Sequence, residues 1–286
     1  MQARSGMDAA VRSSLPRQTS QVARAELPRS AAATPAVDRA LWQIVDAGLE
    51  AIGLELDDGA RSAIEAQVRL LLAWNEHVNL SGLRSVEQIA RGHVLDSLVT
   101  VPFLRRLGGD SPTLIDLGSG AGYPGLPLAV ALPASRAALV DSIAKKAGFL
   151  AVVAAEAGAP RGIIGLAERA EDLADEADQR ETWDLVTARA VGSVAEVAEI
   201  GLPLARRGGH VAIWKFADPR GELDAELAAA ARISQACGGS QPRVITLPAA
   251  AGVGLPGHCL VIIDKRRPTP DRYPRQPSER RRPTLP

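Results

Sequence analysis

The chain has 286 residues, 33 basic and 33 acidic side chains, and 46% hydrophobic residues. That apolar content excludes a wholly disordered chain, and no apolar run approaches the roughly 20 residues that span a bilayer. Two cysteines, Cys237 and Cys259, and four scattered histidines cannot build a disulfide framework or a cysteine-rich zinc site, which leaves a reducing, cytoplasmic setting as the default and no metal.

The balanced charge conceals an acidic body between two basic ends. Residues 1–36 carry a net +3, residues 37–264 a net −9 and residues 265–286 a net +6. Such asymmetry fits either a polyanionic partner or two solvated tails. Residues 1–36 are rich in Arg, Ser, Ala and Pro without a helical or strand period, and read as a disordered extension whose composition also resembles an organelle transit peptide.

Residues 37–108 read as a helical subdomain. Asp38 suits an N-cap for a helix to about Glu50, and Asp57 or Asp58 suits the next. Ile64, Val68, Leu71, Leu72 and Val78 recur at helical spacing and form one apolar stripe. After the polar break NLSGLRS, a single helix is predicted from about Val86 to Leu104.

From Thr113 the pattern changes. The apolar runs TLIDL, RAALVD, GIIGL, WDLVTA and HVAIWK alternate with helical stretches starting near Pro124, Lys145, Ser193 and Asp218. Strands apolar on both faces need helices on both sides, so residues 109–264 predict a doubly wound parallel α/β sheet. RVITL and CLVIID flank a Gly/Pro loop with no crossover helix and predict an antiparallel pair at the edge. Residues 265–286 hold six prolines and read as an extended, mobile basic tail.

The segment from Asp116 to Gly125, DLGSGAGYPG, leaves the first strand and enters a helix, the turn where such sheets bind nucleotides. A dinucleotide fingerprint requires a third glycine where Tyr123 stands, so a nicotinamide-linked oxidoreductase does not fit. The pattern D-x-G-x-G-x-G instead suits S-adenosylmethionine, which has no phosphate. Asp141 ends the second strand, where a carboxylate accepts both ribose hydroxyls. Arg189 and Lys215 stand just past the fourth and fifth strands, at the carboxyl end where open sheets place their sites; ordinary strand-end solubility explains them equally well. Arg169 is the odd cation in a run, residues 168–184, that otherwise reads as a solvated acidic surface. His77 and His93 read as packing or capping groups, and Trp74, Trp183 and Trp214 as core.

Together, WNEHVNLSGLRS, GHVLDSL, LIDLGSGAGYPGLPLA, VDSIAKKAGFL, ERAED, ARAV, WK and KRRPTPDRYPR resemble the bacterial 16S rRNA guanine-N7 methyltransferases, historically called glucose-inhibited division protein B. The resemblance runs from about residue 40 to 278. It implies a Rossmann-like class I methyltransferase sheet behind a helical N-terminal part, with S-adenosyl-L-methionine as methyl donor. The implied substrate is N7 of a guanine in the 530 loop of 16S rRNA, met within the 30S subunit or an assembly intermediate by a monomer without membrane contact. To Asp116, Gly120 and Asp141, read from the loop and the second strand end, the matching positions add Gly118, Tyr123, Ala170, Glu171 and Arg189 as implied cofactor residues. Lys215, Arg169 and Asn79 are implied active-site or RNA-contact residues, and the basic tail becomes an implied RNA contact. Phe216 stands after Lys215 where glycine is usual. The rival readings are a ribosome-assembly RNA-binding factor with a vestigial cofactor fold and a methyltransferase acting on a small molecule.

Overall fold

The computed structural model describes residues 27–109, 111–132, 134, 136–158, 162–217, 219–247 and 256–280. Strands β1 (Thr113–Leu117), β2 (Arg136–Val140), β3 (Ile163–Leu166), β4 (Trp183–Arg189) and β5 (Ala205–Phe216) are joined by parallel pairing. β6 (Arg243–Thr246) and β7 (His258–Asp264) complete a seven-stranded sheet of order β3-β2-β1-β4-β5-β7-β6. β7 runs antiparallel to both β5 and β6, as the missing crossover helix requires. The strand order reverses between β1 and β4, which sets the place for a ligand at their carboxyl ends.

Alternate strand residues face opposite layers. Leu114, Leu139, Leu185 and Trp214 join one core with the N-terminal helices, α6 (Gly125–Ala131) and α7 (Ala144–Glu156). Ile115, Val140, Val186 and Ile213 join a second core with α8 (Ala170–Asp175), α9 (Val194–Gly201) and α10 (Glu222–Ala236). The helical part therefore shares its core with one face of the sheet. α10 begins after Gly221, in the left-handed region at φ 76°, which shortens the helix predicted from Asp218; that residue lies outside the described ones.

At the N-terminal side, α1 (Ala40–Ile52) precedes α2 (Asp58–Trp74), which is capped by Asp57 through the Ala60 amide at 2.6 Å. The NLSGLRS break is organised by buried Asn75, whose Oδ1 accepts from the Leu80 and Ser81 amides and whose Nδ2 donates to the Ser81 carbonyl. The single helix predicted over 86–104 is in fact segmented: α3 (Val86–Ile89), a π-helical turn over Ala90–Leu95, α4 (Asp96–Leu98) and α5 (Val101–Gly108). Pro102 at the start of α5 lacks the amide that a continuous helix needs. No helix among the described residues is long and apolar enough to cross a membrane.

Both ends depart from the tails expected. Within the N-terminal extension, Trp74 Nε1 donates to the Pro28 carbonyl at 2.8 Å, Arg69 donates to the carbonyls of Thr34 and Pro35, and Ala31 is buried. Residues 1–26 lie outside the described ones. The tail expected to be mobile is packed as a strap over residues 265–280, ending in α11 (Pro277–Arg280). Lys265 is 1% exposed and pairs with Glu181 at 2.8 Å. Arg180 donates to the carbonyls of Thr269, Pro270 and Tyr273. The acidic run read as solvated in part receives this basic strap, through Glu181 on Lys265 and Glu171 on Arg280.

Candidate active site

At the carboxyl end of β1 the chain turns through the glycine loop into α6. Asp116 lies beneath this loop, fully buried. Its Oδ2 accepts from the Ser119 hydroxyl at 2.5 Å and the Gly125 amide at 3.1 Å, and its Oδ1 accepts from the Thr187 hydroxyl at 2.7 Å. Burial pushes the Asp116 pKa up to about 6, against the pull of those hydrogen bonds and of Arg189. Asp116 is not among the lining residues of the cleft above, and its hydrogen bonds tie the loop to β1 and β4. Gly118 has φ 62°, and a Cβ there would sit 2.7 Å from Val191 Cγ2; at Gly120, φ 59°, a Cβ would meet nothing closer than 3.8 Å. The loop thus needs left-handed backbone at both positions and is open at the second. From α2, buried Gln67 clasps the same loop by donating to the Ala121 carbonyl at 2.9 Å.

A cleft of about 300 Å³ opens beside the loop, lined among others by Gly118, Asp141, Glu168, Arg169, Ala170 and Glu171. Asp141 Oδ2 accepts from the Gly120 amide at 3.1 Å and Oδ1 from the Ile143 amide at 2.9 Å. Each oxygen keeps acceptor capacity for a further donor. The structure brings Gly118, Asp141, Ala170 and Glu171, expected as cofactor residues, together with Arg169 in the lining, and Gly120 donates to Asp141 beside it.

A second hollow of about 250 Å³ lies at the ends of β4 and β5, lined by Arg189, Gly192, Trp214, Lys215, Phe216 and His258 among others. Arg189 is among these residues and not among those of the first cleft. Its guanidinium donates to Asp96 Oδ2 at 2.9 Å, to the Gly92 carbonyl at 3.2 Å and to His93 Nδ1 at 2.8 Å. Arginine only donates, so His93 Nδ1 is an acceptor and its Nε2–H donates to Ser81 Oγ, 2.7 Å away. Burial, reinforced by Arg189, pulls the His93 pKa down to about 4, so the ring is neutral. The imidazole stacks on Tyr123 with centroids 4.6 Å apart. Asp96, fully buried, also binds His258 Nδ1 at 2.6 Å, and its carbonyl accepts from Trp214 Nε1. Lys215 Nζ is held by Glu226 at 2.6 Å and by the Gly192 carbonyl at 2.9 Å.

Arg189 and Lys215 both have internal partners and line the second hollow. Tyr123 is 3% exposed with its hydroxyl unpartnered, and it lines neither cleft. Asn79 is exposed on the loop after α2, accepts from Arg84 Nη2 at 3.4 Å, and is among the lining residues of neither cleft. Sequence reasoning missed the site roles of Gln67, Asp96, His258 and Glu226, and read His93 as a packing group. The π-helical turn that exposes the Gly92 carbonyl to Arg189 leaves no local sequence signal.

The sequence model of GidB, rRNA small subunit methyltransferase G, matches residues 61–244. "Ribosomal RNA small subunit methyltransferase G" of Roseiflexus castenholzii is 39% identical over 224 residues, 78% of this chain and 91% of that protein. Its counterpart in Deinococcus radiodurans is 41% identical over 210 residues, 72% and 78% respectively. Among solved structures, Trm1 from Pyrococcus horikoshii with S-adenosyl-L-methionine is similar at a TM-score of 0.46 and 14% identity, covering 61% of this chain and 55% of that one. With the matched region spanning the glycine loop, Asp141, Glu171, Arg189 and Lys215, the chain belongs to the rRNA small subunit methyltransferase G family.

Proposed function

We propose that this methyltransferase moves a methyl group from S-adenosyl-L-methionine to N7 of a guanine in the 530 loop of 16S rRNA, acting in the cytoplasm as a monomer on the 30S subunit or an assembly intermediate. The observation that carries the reading is the cleft between the glycine loop, Asp141 and Glu171 in a chain of this family. A nucleoside fits these residues: Asp141 has acceptor capacity left for ribose hydroxyls, the loop, open at Gly120, admits close backbone approach, and Ala170 and Glu171 stand at the next strand end for adenine. When bound, the cofactor supplies an electrophilic methyl group on a sulfonium sulfur.

Guanine N7 carries an in-plane lone pair and no proton, so the chain needs no general base. The neutral, doubly engaged His93 accords with that: its task is to fix Arg189 and the π-helical turn. The work left to the protein is orientation. The second hollow, beside the first, suits the target base. Its exposed Phe216 ring offers a stacking face, and Lys215 and Arg189, held by Glu226 and Asp96, keep its walls in place. A base inside folded RNA must leave its stack to enter such a hollow. Exposed Arg169, at the rim of the first cleft, is the residue left for a phosphate.

The test is to incubate the purified chain with labelled methyl donor and unmodified 30S subunits, then to map N7-methylguanine by reduction and aniline cleavage. A single cleavage within the 530 loop is expected. Binding of 30S subunits without label transfer would favour an assembly factor, and label at another atom or base would overturn the assigned target.

A further inference from the structure

The cofactor cleft is walled on its outer side by the C-terminal strap, which a doubly wound sheet does not require. Pro277 and Arg280 of α11 line it together with Asp141, Ala170 and Glu171. The strap is fixed on both sides of α11's approach to the cleft. Upstream, Arg275 grips Glu199, 2% exposed, through its backbone amide, Nε and Nη2 at 2.7–2.9 Å. At the far end, the Arg280 guanidinium donates to Glu171 Oε1, with both side chains largely buried. The cleft lining holds four carboxylates, those of Asp141, Glu168, Glu171 and Glu196, against Arg169 and Arg280. Without Arg280, Glu171 would face like charges and sample several rotamers on a six-residue helix. With it, Oε1 is occupied and Oε2 is left to accept. Burial is the largest single influence on the Glu171 pKa and raises it; the Arg280 hydrogen bond, a backbone hydrogen bond and the charges of Arg280 and Arg169 together outweigh it and hold the group below its ordinary value, ionised and a pure acceptor.

We propose that Arg280 is a cofactor-positioning residue. It fixes the Glu171 carboxylate so that its free oxygen accepts from the exocyclic amino group of adenine, and the strap closes the cleft over that base. The strap thereby selects an adenosyl ligand over nucleosides lacking the amino group. The inference rests on the assignment of adenine to Ala170 and Glu171 made above, and not on the identity of the RNA target.

The experiment is calorimetric binding of S-adenosylhomocysteine and of its inosyl analogue, without RNA, to the full chain and to variants. Truncation belongs after Gln276, since an earlier stop would remove Arg275. Arg280→Ala and the truncation are expected to weaken the adenosyl ligand about five- to tenfold, the worth of one hydrogen bond, with little change for the inosyl ligand. Arg280→Lys is expected to restore part of the loss. Glu171→Leu, which removes both acceptor oxygens, serves as the control. If it leaves the adenosyl preference intact, the adenine assignment is wrong. If it abolishes the preference while Arg280→Ala and the truncation do not change it, the role of the strap is wrong. Equal loss for both ligands would also overturn the positioning role, as would tighter binding, the mark of a plug. Unchanged binding of both ligands by Arg280→Ala and by the truncation would likewise overturn it.

Discussion

Asp116→Ala separates a pin from a ligand. The wild-type carboxylate takes three buried donors: the Ser119 hydroxyl, the Gly125 amide and the Thr187 hydroxyl. Thr187 has a second acceptor in the Ile115 carbonyl at 3.4 Å, so the substitution strands two donors, at about 1–3 kcal/mol each. The loss is therefore roughly 2–6 kcal/mol when Asp116 is protonated. Ionisation offsets part of it. A carboxyl pKa raised to about 6 in the fold, against roughly 3.9 in the unfolded chain, means that the native state binds more protons between those values. The stability Asp116 contributes is thus complete at low pH and falls as pH rises through about 6, by about 1.4 kcal/mol between pH 5 and pH 8. Urea unfolding should show Asp116→Ala less stable than wild type, with the gap narrowing by that amount at the higher pH. Asp116→Asn, neutral and of the same shape, should lie closer to wild type at both. Cofactor affinity should fall in Asp116→Ala because the loop is released. Lost affinity at unchanged stability would refute the pin and restore Asp116 as a ligand, while a pH-independent gap would refute the raised pKa.

Arg189→Lys leaves one ammonium where a guanidinium reaches Asp96, the Gly92 carbonyl and His93; a stability loss of about 2–4 kcal/mol by urea unfolding and at least a tenfold fall in methyl transfer are expected. Lys215→Ala frees Glu226 and the wall of the second hollow, so turnover on 30S subunits should drop well over tenfold while S-adenosylhomocysteine affinity stays near wild type. Wild-type turnover would remove Lys215 from the site. Arg275→Met strands the buried Glu199 carboxylate on a single backbone amide, a loss of roughly 3–5 kcal/mol read from the same unfolding curves; an unchanged midpoint would mean that the strap does not depend on this clasp.

The sequence by itself determined the elements and the cofactor loop. Short apolar runs bounded by turn residues and alternating with helical stretches read as strands covered on both faces, and β1, β2 and β4 start within a residue or two of where that pattern places them. The glycine spacing and Asp141 marked the cleft because they act through backbone conformation and strand position, both local properties. Tertiary structure decided how charge is used. Asp96 and His258 lie 162 positions apart, Arg189 and His93 96 apart, and Arg280 and Glu171 109 apart. No local pattern reports such pairings, because they arise only when the helical layer and the strap dock on the sheet. The two strand-end cations, which spacing alone assigned equally to a site or to solubility, are paired with carboxylates, Arg189 with buried Asp96 and Lys215 with half-buried Glu226. The basic end is bound by the acidic run it balances, since desolvated charges on packed elements must find partners within the fold.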